Sequence, residues 1–204
     1  MKEFWNERYA ERKMAYGEKP NVFFAEQLKQ LKRGQILLPA EGEGRNAIHS
    51  AKEGWNVSAF DISEEGKQKA DALAESNNVK IDYLVGGVNE MKYKKESFDC
   101  IGLIFAHFPT QLKSEYHKIL DTYLRKDGIV ILEAFSKSHL KYNAENPNAG
   151  GPKNKDMLFS IEEIKKDFSN YEITELSEKV ILLKEGEYHN GKSSVIRFVG
   201  RKKY

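Results

Sequence analysis

The sequence predicts an α/β protein, built as a doubly wound, mostly parallel sheet that closes with a C-terminal antiparallel hairpin. Three observations carry this. Apolar stretches of strand length alternate with helical stretches from about residue 35 to residue 132. Strands such as Ile129-Val130-Ile131-Leu132 lack polar alternation, as expected where helices cover both faces of a parallel sheet. Two β-rich stretches near the end, 172–183 and 193–200, are separated by about nine residues, too few for a parallel crossover.

The elements follow in order. Residues 3–14 and 21–32 read as helices; in the second, Phe24, Leu28 and Leu31 recur at i, i+4 and i+7, and Pro20 suits a first turn. Residues 35–38 form a strand, 45–53 a helix ending at Gly54, and 55–60 a second strand. Ser63 caps the helix over 64–75. Strands three and four occupy 81–85 and 99–105. Pro109 opens a longer helix with the stripe Leu112, Tyr116, Ile119, Leu120 and Tyr123, stopped by Asp127-Gly128 before strand five at 129–132. Residues 137–156 hold Asn146-Pro147 and Gly150-Gly151-Pro152 and are long for a loop, which marks them as a lid.

At 204 residues, 40% apolar and 31% charged, the chain suits one soluble domain spanning 1–204. Thirty-three basic and 31 acidic side chains are interleaved, which argues against a nucleic-acid surface. The charged N-terminus and the lack of a long apolar run argue against a signal peptide and a membrane span, so a cytoplasmic location is expected. Cys100, alone in an apolar run, reads as a buried thiol, and the five histidines include no close-spaced pair of metal-ligand type. Oligomeric state is left open.

The stretch "ILLPAEGEGRNA" at 36–47 carries the chemistry. Gly42 and Gly44 let the backbone turn sharply out of a strand and approach a ligand, and Arg45-Asn46-Ala47 begin a helix whose N–H groups face it. Asp61 ends the second strand, nineteen residues after Gly42, where a carboxylate accepts both hydroxyl hydrogens of an adenosine ribose. An adenosine-bearing cofactor is therefore expected, either a dinucleotide or S-adenosylmethionine. Glu41 would repel a pyrophosphate and attract an ammonium, so it and the closing hairpin favour S-adenosylmethionine. The aromatic residues Phe4, Trp5, Tyr9 and Tyr16 are placed to fold over that site, within an N-terminal cover of residues 1–33.

These residues resemble the class I S-adenosylmethionine-dependent methyltransferases, in particular the tellurite-resistance or thiopurine-methyltransferase-like branch. The resemblance rests on "FWNERYA" at 4–10, "YGEKPN" at 16–21, "GEGRNA" at 42–47, "FDIS" at 60–63 and "FDCIGLIFAHFP" at 98–109. It continues through "DGIVILEAFS" at 127–136, "GGPKNKDMLFSIEEI" at 150–164 and "EGEYHNGKSSV" at 185–195. It implies a seven-stranded Rossmann-like sheet whose last strand is antiparallel. It also implies that Gly42 and Gly44 lie under the methionine moiety, that Asp61 holds the ribose, that Ile62 packs on adenine, and that Phe105 and Ala106 flank the methyl-donor end. Two departures from the pattern stand out. Leu38 replaces the usual strand-one acid and Ala40 the first loop glycine, with Glu41 a shifted substitute. Gly87 stands where an acid usually meets the adenine amino group, leaving the Val88 backbone and Asn89 as substitutes.

For the reaction itself, the acceptor is expected to be a small molecule, with soft sulfur, selenium or tellurium nucleophiles needing little base. His107 after strand four, Glu133 ending strand five and His189 in the hairpin loop beside Glu185 are the candidate catalytic residues. S-adenosylhomocysteine would be the product. The competing readings are a cofactor-binding relative without activity and an NAD(P)-dependent reductase.

Overall fold

The computed structural model describes residues 1–11 and 13–204. Helix α1 (Lys2–Ala10) is followed by α2 (Val22–Leu28), and then strands and helices alternate. These are β1 (Gln35–Pro39), α3 (Arg45–Lys52), β2 (Asn56–Asp61), α4 (Glu64–Ser76), β3 (Asp82–Val85), β4 (Phe98–Ile104), α5 (Lys113–Tyr123) and β5 (Leu124–Phe135). After α6 (Leu140–Glu145) and α7 (Ile161–Asp167), the chain ends in β6 (Tyr171–Glu185) and β7 (His189–Lys202).

The seven strands form one sheet in the order β3-β2-β1-β4-β5-β7-β6. The first five strands in this order run parallel, and β7 is antiparallel to both β5 and β6. Strand order reverses between β1 and β4, where open α/β sheets leave a crevice at the carboxyl ends of the strands. One apolar cluster joins Leu37, Ile101, Leu103, Val130 and Leu132 to α5 and α7. The other joins Ile36, Leu38, Cys100 and Ile131 to α2, α3 and α4. Successive residues of each central strand thus go to opposite faces, and both faces are dry.

Several boundaries differ from expectation for local reasons. The predicted helix 3–14 ends at Ala10, and Arg12 in its last turn lies outside the described residues. Asn21, not Pro20, starts α2, because its side chain accepts from the Phe24 N–H. Pro109 does not open α5; its carbonyl accepts from the N–H of Leu112 and of Lys113, both at 2.9 Å, making a tight turn first. That helix stops at Tyr123, four residues before Asp127. Leu124 already pairs with Phe98 in the sheet, and the ladder shifts register before Cys100 meets Ile129. The hairpin is longer than predicted, with only residues 186–188 between Glu185 and its partner His189. Residues 137–156 contain α6 and three short 3₁₀ turns, and Ala149 within them is fully buried. They are held to β7 by Asn146 donating to the Asn190 carbonyl and by His139 Nδ1 accepting from the Ser194 N–H, and they are closed on themselves by His139 and Asn143 bonding the Gly150 carbonyl.

Candidate functional site

The carboxyl ends of β1 and β2 bring the glycine loop and Asp61 together as the spacing predicts. The Asp61 carboxylate accepts from the Gly42 N–H at 3.1 Å and from the Ser63 N–H at 2.9 Å. Burial, opposed by these N–H donors, pushes its pKa up to about 6. The loop needs its glycines. Gly42 and Gly44 have φ of 62° and 88°, and Ala40, standing for the family glycine, takes the left-handed φ of 53° that costs a residue with a Cβ about 1 kcal/mol.

The packing of the two glycines is more specific than a turn. A Cβ on Gly42 would lie 2.5 Å from the Tyr9 hydroxyl, and one on Gly44 would lie 2.7 Å from Ala70 Cβ. Gly42 thus makes room for Tyr9, and Gly44 lets α4 close on α3. Tyr83 donates to the Gly42 carbonyl at 2.6 Å and fixes the loop from below. Trp5 stands one layer further out, stacked on Tyr9 at 5.4 Å.

Glu41 does two things. Its Oε1 accepts from the N–H groups of Asn46 and Ala47, each at 2.7 Å, and so caps α3. Its Oε2 has only a long 3.5 Å contact with Asn46 Nδ2. Burial, opposed mainly by the Ala47 N–H and Arg45, raises its pKa to about 7. Among the described residues neither Glu41 nor Asp61 has an ion-pair partner. Leu38 cannot replace an acid, because it is fully buried against the α2 side of the sheet, where Gly102 leaves room for it and Phe24.

On the β3 side, Ile62 and Gly87 are neighbours; a Cβ on Gly87 would be 3.9 Å from Ile62 Cγ2. The Val88 side chain is buried in the core, while Asn89 is exposed. The carboxylate near Gly87 comes from three residues later. Glu90 folds back so that its Oε2 accepts from the Gly87 N–H at 2.6 Å. At the end of β4, Phe105 has a φ of 52°, which turns its ring toward His189 at 4.4 Å, and Ala106 packs into the core.

The three candidate catalytic residues separate clearly. His107 has both ring nitrogens engaged: Nδ1 donates to the Met157 carbonyl at 3.0 Å, and Nε2 accepts from the Phe135 N–H at 3.2 Å. Burial lowers its pKa to about 3. Both nitrogens of this catalytic candidate are thus spent on backbone groups, and the ring pins the β5 end to the segment before α7. His107→Ala is expected to cost about 2 kcal/mol of stability by orphaning two buried backbone groups, read by denaturant unfolding.

Glu133 is equally committed. Its Oε1 accepts from Asn21 Nδ2 at 2.7 Å and its Oε2 from Arg197 Nε at 2.6 Å. His189 is different. Its Nδ1 faces Glu185 Oε2 at 3.4 Å, and its Nε2 has no protein partner among the described residues. Burial lowers its pKa to about 4, so at pH 7 it is neutral. Burial opposes ionisation of Glu185, but the His189 and Arg45 contacts outweigh it and hold its pKa at about 2. A neutral imidazole with one nitrogen oriented by a carboxylate and the other free can accept a hydrogen bond from a protonated group, though its lowered pKa makes it a weak base.

Sequence reasoning missed the residues that tie this together. Asn21 joins Glu133, Glu185 at 3.0 Å and, through its N–H, Asn46 Oδ1 at 2.9 Å. Arg45 pairs with Glu185 at 2.8 Å. A cation at the positive end of a helix is unfavourable without a nearby acid, and that was the available signal for Arg45.

Comparison with known proteins accords with this geometry. Residues 36–128 match the family model described as a methyltransferase domain. A Geobacillus sp. (strain WCH70) protein, provisionally named a methyltransferase, is 29% identical over 122 residues, or 56% of this chain and 49% of that protein. The match spans about half the length of that curated relative. Among solved structures, one concerning conversion of a disulfide bond into a thioacetal group during echinomycin biosynthesis superposes with a TM-score of 0.75 at 17% identity, covering 100% of this chain and 92% of its own. TehB from Haemophilus influenzae superposes with a TM-score of 0.73 at 15% identity, covering 99% of this chain and 67% of TehB. At these identities the structures establish the fold, the seven-stranded Rossmann-like sheet of methyltransferases.

Proposed function

We propose that this chain, a member of the S-adenosylmethionine-dependent methyltransferase family, methylates a small-molecule acceptor at a soft nucleophilic atom. The observation that carries the cofactor is the pair Glu41 and Asp61. Two carboxylates that form no ion pair among the described residues, both held well above the usual carboxylate range, call for a ligand with positive charge and hydroxyl donors. S-adenosylmethionine supplies both, and its activated sulfonium methyl is the group transferred. In this reading Asp61 holds the ribose, Glu41 Oε2 faces the ammonium, and Ile62, Gly87 and Glu90 surround the adenine. Val88 and Asn89 then contribute only backbone.

A small acceptor is supported by Tyr9, Tyr16 and the hairpin, which together cover the carboxyl edge of the sheet. His189 is the proton acceptor where the nucleophile carries a proton, and a thiolate or a selenium or tellurium oxyanion would not require it. The tellurite-resistance or thiopurine-methyltransferase-like branch is supported by the ordered motifs. The test is isothermal titration with S-adenosylmethionine and S-adenosylhomocysteine. Binding of both supports the assignment, and no heat with either at high micromolar protein overturns it.

The raised carboxylates fix the pH dependence. A cation binds the ionised forms, so affinity for S-adenosylmethionine rises with pH through about 6 and about 7, then flattens. A loss of roughly tenfold or more between pH 8 and pH 5.5 is expected, with proton release on binding visible as buffer-dependent heat. A pH-independent Kd over that range would place the cation elsewhere.

A further inference from the structure

Tyr16 does not stand over the glycine loop with Tyr9. Its ring lies 4.4 Å from His189 and 6.5 Å from Tyr9. Its carbonyl accepts from Arg45 Nη1 at 3.3 Å, while Arg45 Nη2 holds Glu185, and Glu185 faces His189 Nδ1. Tyr16, Arg45, Glu185 and His189 thus close a ring of contacts that leaves the second imidazole nitrogen free among the described residues.

Residues 13–17, which carry Tyr16, are held from two sides. From below, Lys69 donates to the carbonyls of Glu11 and Lys13 and to Glu43, and Glu43 in turn accepts from the Ala15 N–H at 2.8 Å. From above, the turn between β6 and β7 sits directly on them. The Glu187 N–H donates to the Ala15 carbonyl at 3.1 Å, Glu187 pairs with Lys13 at 3.1 Å, and Tyr188 donates to Glu11 at 2.7 Å. The Arg8 guanidinium lies 3.6 Å over the Tyr188 ring.

Gly186 makes this docking possible. Its φ is 68°, and a Cβ there would collide with the Ala15 carbonyl and lie 2.7 Å from Tyr16 Cα. Gly17 approaches from the other side, with an added Cβ 3.5 Å from the Gly186 nitrogen.

We propose that Tyr16 is a wall of the acceptor side of the site, not a cofactor contact, and that the turn at 186–188 is the positioning element that sets it against His189. The proposal rests on the methyltransferase reading for the meaning of "acceptor", but the positioning claim stands on geometry alone. An acceptor reaching His189 Nε2 then passes between the Tyr16 and Phe105 rings, each centred 4.4 Å from the imidazole.

The test compares the full chain with Gly186→Ala. Trypsin cleavage after the exposed Lys13 reads docking, the His189 ring proton resonances read its contact with Tyr16, and calorimetry with S-adenosylhomocysteine reads the cofactor side. The expected result is cleavage faster by about tenfold, since proteolysis follows the population of the open segment. The His189 resonances should move toward their positions in Tyr16→Ala, with S-adenosylhomocysteine affinity within about threefold of the parent. Unchanged cleavage and unchanged His189 resonances would overturn the positioning claim. Loss of S-adenosylhomocysteine affinity in step with the opening would instead make Tyr16 a cofactor contact. If Gly186→Ala does not fold, Tyr188→Ala removes the Arg8 and Glu11 contacts at a partly exposed position and reads the same three quantities. Failure of the parent chain to bind S-adenosylhomocysteine would count against the cofactor reading, while cleavage and resonances would still decide the positioning claim.

Discussion

Asp61→Ala is expected to weaken S-adenosylmethionine binding by about 1.5–3 kcal/mol, or roughly 10- to 150-fold, the range for hydrogen bonds to a charged group. The carboxylate is buried and spends one lone pair of each oxygen on Gly42 and Ser63, leaving the others for ribose hydroxyls. Removal therefore acts twice, by deleting the ribose acceptor and by freeing the Gly42 N–H that shapes the loop. Asp61→Asn separates the two effects. It keeps the side chain's volume but presents an amide donor where acceptors are needed, so binding should suffer nearly as much while the melting temperature changes less. Unchanged affinity in a folded Asp61→Ala protein would mean that the ribose lies elsewhere. Calorimetric titration of the three proteins makes the comparison.

Glu133→Ala is expected to lower stability by about 3 kcal/mol, the low end for breaking a buried ion pair, because Arg197 retains some access to water. Glu133 is 1% exposed and its pKa is raised by burial against the pull of Arg197 and Asn21. Its loss leaves a guanidinium and an amide facing an apolar sheet edge. Since Asn21 also holds Glu185 and Asn46, the damage should spread to the site as a weaker S-adenosylmethionine affinity, but the primary effect is on folding. Urea unfolding reads it. A fully stable Glu133→Ala protein that binds cofactor and has lost methyl transfer would restore Glu133 as a catalytic residue.

The parts of the fold governed by local pattern were legible. Predominantly apolar stretches of strand length gave β1, β2, β4 and the core of β5. Ser63 gave the start of α4, with its hydroxyl accepting from the Gly66 N–H as an N-cap should. A capping box in which Ser160 and Glu163 bond each other's backbone was equally readable and starts α7, an element the sequence reading passed over. What the sequence could not supply was partnership over distance. Glu41 and Asp61 were placed by spacing from the glycines. That Glu41 divides its oxygens between a helix cap and an open lone pair depends on how tightly the loop closes. His107 follows a strand at a position typical of catalysis, and only the fold reveals that Met157 and Phe135 consume both its nitrogens. Asn21 looked like a helix start and nothing more, because its links to Glu133 and Glu185 cross 112 and 164 residues of chain. The glycines show the same division. The spacing marks Gly42 as a position of close approach to a ligand, and in the fold the group beside it is the Tyr9 hydroxyl.

The most direct measurement of the central claim is a crystal structure with S-adenosylhomocysteine. The account predicts the ribose hydroxyls on Asp61, the amino group near Glu41 Oε2, the adenine against Ile62 and Gly87, and the sulfur facing Phe105 and the His189 side of the site. Density for the ligand away from Asp61, or an amino group remote from Glu41, would contradict it.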